Sequence, residues 1–225
     1  MDVKKTSRLS LVEQVTGQIN ELIKSGQWAV GYRLPPEPLL SEELGVSRNT
    51  LREAIRALVH SGLIVTKPGD GTYVISSSVL GVAIKRRLEE STLLETLEVR
   101  NALERETAAL AALRRTKSEM QRIQSYLTVC EKAAKANDLE SYVEADMALH
   151  KSIAEAAHNP LFLELYEHVT EYVHMSIGNM IALYEQLPHR KLVQAIHEKN
   201  SILAASAVDE YIEEFRKIIK STMEE

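Results

Sequence analysis

Residues 45–64 read GVSRNTLREAIRALVHSGLI, and the fold class follows from how this stretch is understood. Leu51, Ala54, Ile55 and Leu58 fall at the spacing of one buried helix face, Ser47 stands where an N-cap is needed, and Gly62 stands where the helix ends. The other face carries Arg48, Arg52 and Arg56 at every fourth position, with Asn49 and Thr50 in the first turn. The positive end of a helix dipole favours acids, so cations gathered there call for an explanation.

The flanking residues supply it. Upstream, Leu11, Val15, Ile19, Leu22 and Ile23 make a helical stripe over about residues 9–26, broken by SGQWAVGYRLPPE with its Gly26, Gly31, Pro35 and Pro36. A short helix over about 37–44 follows, and Gly45 turns the chain into the quoted helix. Downstream, LIVTKPGDGTYVIS places two β-rich runs around Pro68-Gly69-Asp70-Gly71, a hairpin signal. Helix, helix, turn, helix and hairpin make a winged helix-turn-helix. In that module the second helix of the pair enters the DNA major groove N-terminus first, so arginines there meet phosphates and guanine edges. A solvated basic face is the ordinary alternative for such spacing; the turn, cap and hairpin together favour DNA.

Composition sets the bounds. At 225 residues, 44% hydrophobic and 26% charged, the chain suits one large or two smaller globular domains. The net charge of −5 is unevenly spread: residues 1–76 hold 9 Lys+Arg against 8 Asp+Glu, leaving 18 against 24 for residues 77–225. In the first part, cations gather at Lys4, Lys5 and Arg8 and along 48–56, which allows a local basic surface. No window approaches 18 uncharged apolar residues, and MDVKKTSRLSLVEQV is too polar for the apolar core of a secretory signal, so a cytoplasmic location is expected. The single cysteine, Cys130 in LTVCEKAAK, reads as structural. Enzyme signatures are lacking: Glu-x-x-His occurs at Glu155 to His158 and at Glu171 to His174, but the first runs into the Asn159-Pro160 break where a di-metal oxidase needs both pairs within helices, and there is no His-Glu-x-x-His, Gly-rich phosphate loop or nucleophile motif.

Residues 77–225 carry almost nothing but helical pattern. Helices are expected near 79–90, 93–114, 117–135, 139–157, 161–185, 189–205 and 207–223, with breaks at Ser91, Thr116, Asn137-Asp138, Asn159-Pro160, Pro188 and around Ser206. Short loops and no strand signals imply an antiparallel all-α bundle, so the fold class is mainly α, with the division at residues 1–76 and 77–225. Ligand sites in bundles are built from inward side chains on facing helices. Asp146 and His150 stand four apart in YVEADMALHKSIAEAAHNPLF, and His189 opens a later helix in LPHRKLVQAIHEKN. Such a set suits a divalent cation; the alternative for an Asp-x-x-x-His pair is a hydrogen-bonded helix pair. His197 lies two turns beyond His189, about 12 Å along the axis, too far to share one ion. It is left as a structural or surface residue with His60, His158, His168 and His174. Arg100 and Glu104 lie one turn apart; a guanidinium is well suited to two-point carboxylate binding, and the alternative is a surface ion pair.

The run LPPEPLLSEELGVSRNTLREAIRALVHSGLIVTKPGDGTYV resembles the DNA-binding domain of the GntR family of bacterial transcription regulators, through its Leu-Pro-x-Glu, Leu-Gly-Val-Ser-Arg, Leu-Arg-Glu-Ala and Gly-x-Gly-Thr elements. The segments VRNALERETAALAA, DMALHKSIAEAAHNP and HRKLVQAI are similar to the ligand-sensing domain of its FadR-like (FCD) branch. The resemblance implies that Ser47, Arg48, Asn49, Thr50 and Arg52 contact the operator and that Gly69 in the wing approaches the minor groove. It implies a metal, zinc or nickel foremost, on Asp146, His150 and His189 beneath a small carboxylate effector, with Arg100 holding that effector. Many members supply a third histidine where this chain has Tyr211, which implies a weaker metal site, or a metal-free one whose effector meets Tyr211 directly. A homodimer on a palindromic, double-stranded operator, acting as a repressor, completes the expectation, with no enzymatic activity and no membrane. Three further departures concern DNA. Pro36 and Pro38 replace a family Ser and Arg, Asn49 replaces a small hydroxyl residue, and Asp70 occupies a wing position where a basic residue is common. Together they imply weaker backbone attraction.

Overall fold

The computed structural model describes residues 9–177 and 189–223. By backbone contact the chain divides after Ile84 into two compact units.

In the first unit, α1 (Leu11–Lys24) starts on a capping box in which the Ser10 side chain accepts from the Glu13 amide while Glu13 reaches back to the Ser10 amide. The short α2 (Glu37–Glu43) begins at Pro36 with no side-chain cap, the consequence of the proline departure; Pro38 sits in its first turn, where a missing N–H costs nothing. Gly45, at φ +64°, makes the left-handed turn into α3 (Arg48–His60), whose N-cap Ser47 accepts from the Thr50 amide at 3.1 Å. Strands β1 (Ile64–Lys67) and β2 (Gly71–Val74) pair antiparallel from Ile64↔Val74 to Lys67↔Gly71. Arg33 extends this wing through a bridge to Tyr73. Val15, Ile19 and Ile23 of α1 meet Leu51, Ile55 and Leu58 of α3 and Leu63, Ile64 and Val74 in one core, so the stripe read along α3 is its buried face. The helix α4 (Val79–Glu89) follows.

The second unit is a helical bundle. The long α5 (Leu93–Arg114) packs against α7 (Leu139–Ala156), α8 (Pro160–Ile177), α9 (His189–His197) and α10 (Ser201–Met223), while α6 (Lys117–Ala136) pairs with α7 across the Asn137-Asp138 turn. Leu97, Ile123, Leu149, Leu192, Ile196 and Phe215 lie fully inside its core. Capping boxes at Thr92/Glu95 and Thr116/Glu119 start α5 and α6. Arg114 donates to the Ala157 carbonyl and Arg115 to the His197 carbonyl, so cations meet the negative ends of α7 and α9.

One boundary needs correcting. The break expected around Ser206 falls at Lys199-Asn200: Lys199 adopts φ +59° and the Asn200 side chain caps α10 by accepting from the Leu203 amide. Ala204, Ala207, Val208 and Tyr211 form a continuous buried face of α10, which holds Ser206 inside the helix. The C-terminal part of the helix expected over 161–185 and the break at Pro188 lie outside the described residues, as do Lys4, Lys5 and Arg8. Among the described residues no helix is long and apolar enough to cross a membrane.

Candidate functional site

Two surfaces collect the chemistry singled out in the sequence. The first is the N-terminal end of α3, where Ser47, Arg48, Asn49 and Arg52 are exposed and Thr50 is half-buried. Ser47 Oγ also lies 2.8 Å from Thr50 Oγ1, which ties both hydroxyls into the cap. Arg52 is also paired within this unit: its Nε donates to Glu37 Oε2 at 2.7 Å, linking α3 to α2. On the wing, Gly69 is exposed at φ +76°. Asp70 beside it is not a bare negative charge. Its carboxylate accepts from the Tyr73 hydroxyl at 2.8 Å and lies 3.7 Å from the Arg33 guanidinium, which also donates to the Asp70 carbonyl. Lys67 lies 5.0 Å above the Tyr73 ring. The wing therefore keeps two cations, Arg33 and Lys67, beside the acid that sequence reading counted against it.

The second site lies inside the bundle. Asp146 and His150 project from successive turns of α7, and the start of α9 brings His189 to them across 39 residues of chain. One ligand atom from each of the three lies within 4.8 Å of the others. His189 Nε2 is 2.5 Å and His150 Nε2 3.7 Å from Asp146 Oδ1. Both imidazoles are buried and meet nearly edge to face, with ring centres 4.7 Å apart. Tyr211 of α10 closes the cluster, its ring 5.5 Å from His150 and 5.6 Å from His189, and its buried hydroxyl has no hydrogen-bond partner. Burial alone would push the Asp146 carboxyl up; the neighbouring His189 and His150 outweigh it and hold the carboxyl well below its ordinary range. Burial pulls His150 down against the carboxylates of Glu104 and Asp146, favouring a neutral ring.

Arg100 and Glu104 of α5 form the expected pair, Arg100 Nε to Glu104 Oε1 at 2.6 Å, but not on the surface: their side chains are only 8% and 3% exposed. Glu104 Oε2 then points toward His150 Nδ1 at 3.7 Å. Sequence reading missed Glu104 as part of the cluster, and it missed the buried Tyr166 and Thr170 of α8, whose hydroxyls face each other and of which Tyr166 lies in the field of Glu104 and Arg100. The one available signal was four-residue spacing: Glu104 follows Arg100 and Thr170 follows Tyr166 on single helix faces. Cys130 is buried and its thiol is pushed up to about 12, so it stays protonated and structural. His60 and His197 are exposed, and His158 bonds Glu119 at 2.9 Å. The side chains of Glu171 and His174 lie outside the described residues.

A carboxylate and two imidazoles of this burial match the donor preference of zinc and nickel. The hydrogen that His189 and Asp146 share is the one an ion would displace, and the unpartnered Tyr211 hydroxyl marks a polar position left unsatisfied at the same place.

Comparison with known proteins agrees with both sites' settings. Residues 11–74 match the family described as bacterial regulatory proteins, gntR family, and residues 95–214 match the FCD domain. The chain belongs to the GntR family of bacterial transcription regulators, with a helix-turn-helix that binds DNA and an FCD domain, and it is not an enzyme. It is 30% identical over 222 residues to the HTH-type transcriptional regulator LutR of Bacillus subtilis (strain 168), covering 91% of this chain and 99% of that one. It is 31% identical over 173 residues to the galactonate operon transcriptional repressor of Escherichia coli (strain K12), covering 73% and 72%. Among solved structures, Streptococcus agalactiae GntR superposes with a TM-score of 0.59 at 29% identity, covering 92% of this chain and 99% of that one.

Proposed function

We propose that this regulator is an effector-responsive repressor that binds a palindromic operator as a homodimer and senses a small carboxylate through a metal-containing pocket in its FCD domain. The observation that carries the reading is the convergence of Asp146, His150 and His189 within 4.8 Å, beside the buried Arg100, inside the bundle. In this reading Asp146, His150 and His189 hold a divalent ion, zinc or nickel, which when bound supplies a Lewis-acidic centre for a ligand oxygen. Arg100 supplies a charged, planar partner for a carboxylate. Ser47, Arg48, Asn49, Thr50 and Arg52 meet the operator in the major groove, and the wing around Gly69 approaches the minor groove. The galactonate relative is named as the repressor of an operon for a sugar acid, which fits a carboxylate effector.

The unpartnered Tyr211 hydroxyl favours a second reading, in which no ion is held and Tyr211 bonds the effector directly. One experiment separates them. Metal-free protein is titrated onto operator DNA with and without zinc, against a panel of small carboxylates. The first reading expects the carboxylate response to need zinc; a full response in metal-free protein overturns it in favour of the second. No response to any carboxylate in either state removes both.

A further inference from the structure

Glu104 makes one strong contact and leaves one oxygen unused. Its Oε1 accepts from Arg100 Nε at 2.6 Å, while Oε2, fully buried, has no hydrogen-bond partner. A carboxylate oxygen withdrawn from water without a donor is costly, and such positions in native proteins call for a reason. A donor that faces it is His150 Nδ1, at 3.7 Å.

His150 has two acceptors to choose between. A neutral imidazole carries a single N–H, and the acceptor facing it selects which nitrogen holds the hydrogen. Its Nε2 lies 3.7 Å from Asp146 Oδ1, but that oxygen already receives His189 Nε2 at 2.5 Å. Glu104 Oε2 receives nothing. A hydrogen on Nδ1 would meet this open oxygen, and Nε2 would then present its lone pair toward Asp146 and His189.

We propose that Glu104 is a positioning residue for the metal centre: its Oε2 accepts the Nδ1–H of His150, fixing the ring so that Nε2 is the donor to the ion. This rests on the metal reading given above. A carboxylate behind a ligating imidazole both orients the ring and raises its basicity, and removing such a partner lowers metal affinity 10–100-fold. Glu104 also binds Arg100 through its other oxygen, so the arginine assigned to the effector and a ligand assigned to the ion share one carboxylate. Glutamine at this position offers one acceptor and one donor group. It can satisfy Arg100 or His150, not both.

The test uses the full-length chain stripped of metal. Long-range proton–nitrogen NMR correlation reads the imidazole tautomer of His150, assigned by its loss in His150→Gln, and zinc affinity is measured by competition with a chromophoric chelator. We expect the Nδ1–H tautomer in the wild type, and in Glu104→Gln a zinc dissociation constant raised 10–100-fold with helix content unchanged. An Nε2–H tautomer at His150 in the wild type overturns the assignment without any variant, so a Glu104→Gln protein that fails to fold does not shelter it. Zinc affinity in Glu104→Gln within twofold of the wild type overturns it as well. A wild type that binds no zinc, nickel or manganese removes the metal reading itself, and is thereby distinct from a failure of Glu104 alone.

Discussion

Arg52 commits its Nε to Glu37, so a base or phosphate at this position would meet the outer edge of a guanidinium that is already oriented. Arg48, one turn earlier and exposed, reaches outward from the first turn of α3. Replacing either by alanine should weaken operator binding by about 1–3 kcal/mol if it reads a base edge, with helix content unchanged. Fluorescence anisotropy at one fixed salt concentration checks this, and unchanged affinity in both variants removes them from the interface. At the Asp146, His150 and His189 cluster, Tyr211→His supplies an imidazole where the chain has a phenol, which is a poor ligand when neutral. Elemental analysis and zinc titration should show tighter binding in Tyr211→His and none in His150→Ala; equal affinity in wild type and Tyr211→His would place Tyr211 away from the ion. Arg100→Lys keeps the charge but not the planar fork, so the effector should no longer shift DNA affinity. A wild-type response in that variant would end the two-point role.

Helix starts in this chain repeat one device. Ser10/Glu13, Thr92/Glu95 and Thr116/Glu119 are all reciprocal capping boxes. Thr116→Ala should destabilise the bundle by about 1 kcal/mol, read as a lower urea midpoint with unchanged slope. The boxes also set a pH response. The backbone bond from Thr92 holds the Glu95 carboxyl below its ordinary value of 4.5, so its stabilising effect is fully present above pH 4.5 and is lost as pH falls through the depressed folded value. In a Glu95→Gln variant, which keeps the cap geometry but cannot ionise, that acid-side loss should be smaller, and an identical acid limb of the stability curve would count against the box. Between α3 and β1 the element boundary is stricter. Gly62 adopts φ +76°, and a Cβ there would fall 2.6 Å from Val82 Cγ1, so Gly62→Ala should lower the melting temperature of the DNA-binding unit; an unchanged value would show that Val82 and the turn both yield.

For the whole molecule, a two-fold dimer on a palindrome doubles the contacts made by one small reading head. Full-site duplex should therefore bind far more tightly than an isolated half-site, with sedimentation reporting a dimer in free solution; equal affinity for the two duplexes would overturn dimeric reading. The sequence by itself determined the winged helix-turn-helix, because caps, left-handed glycines and the 3.6-residue stripe of α3 are local effects of neighbouring residues. It determined the α7 half of the Asp146, His150 and His189 cluster for the same reason, since Asp146 and His150 share a helix face by spacing alone. The Lys199-Asn200 boundary was hidden because no glycine or proline marks it, and an asparagine cap is easily read as one more polar helix residue. Only the tertiary structure decided that His189 joins Asp146, that Arg100 and Glu104 are a buried pair where spacing equally allowed a surface one, and that Arg33 and Tyr73 hold Asp70. These contacts link residues far apart in the chain or depend on which helix face is covered. Helical periodicity fixes which side chains share a face; packing against α5, α9 and α10 decides what that face meets.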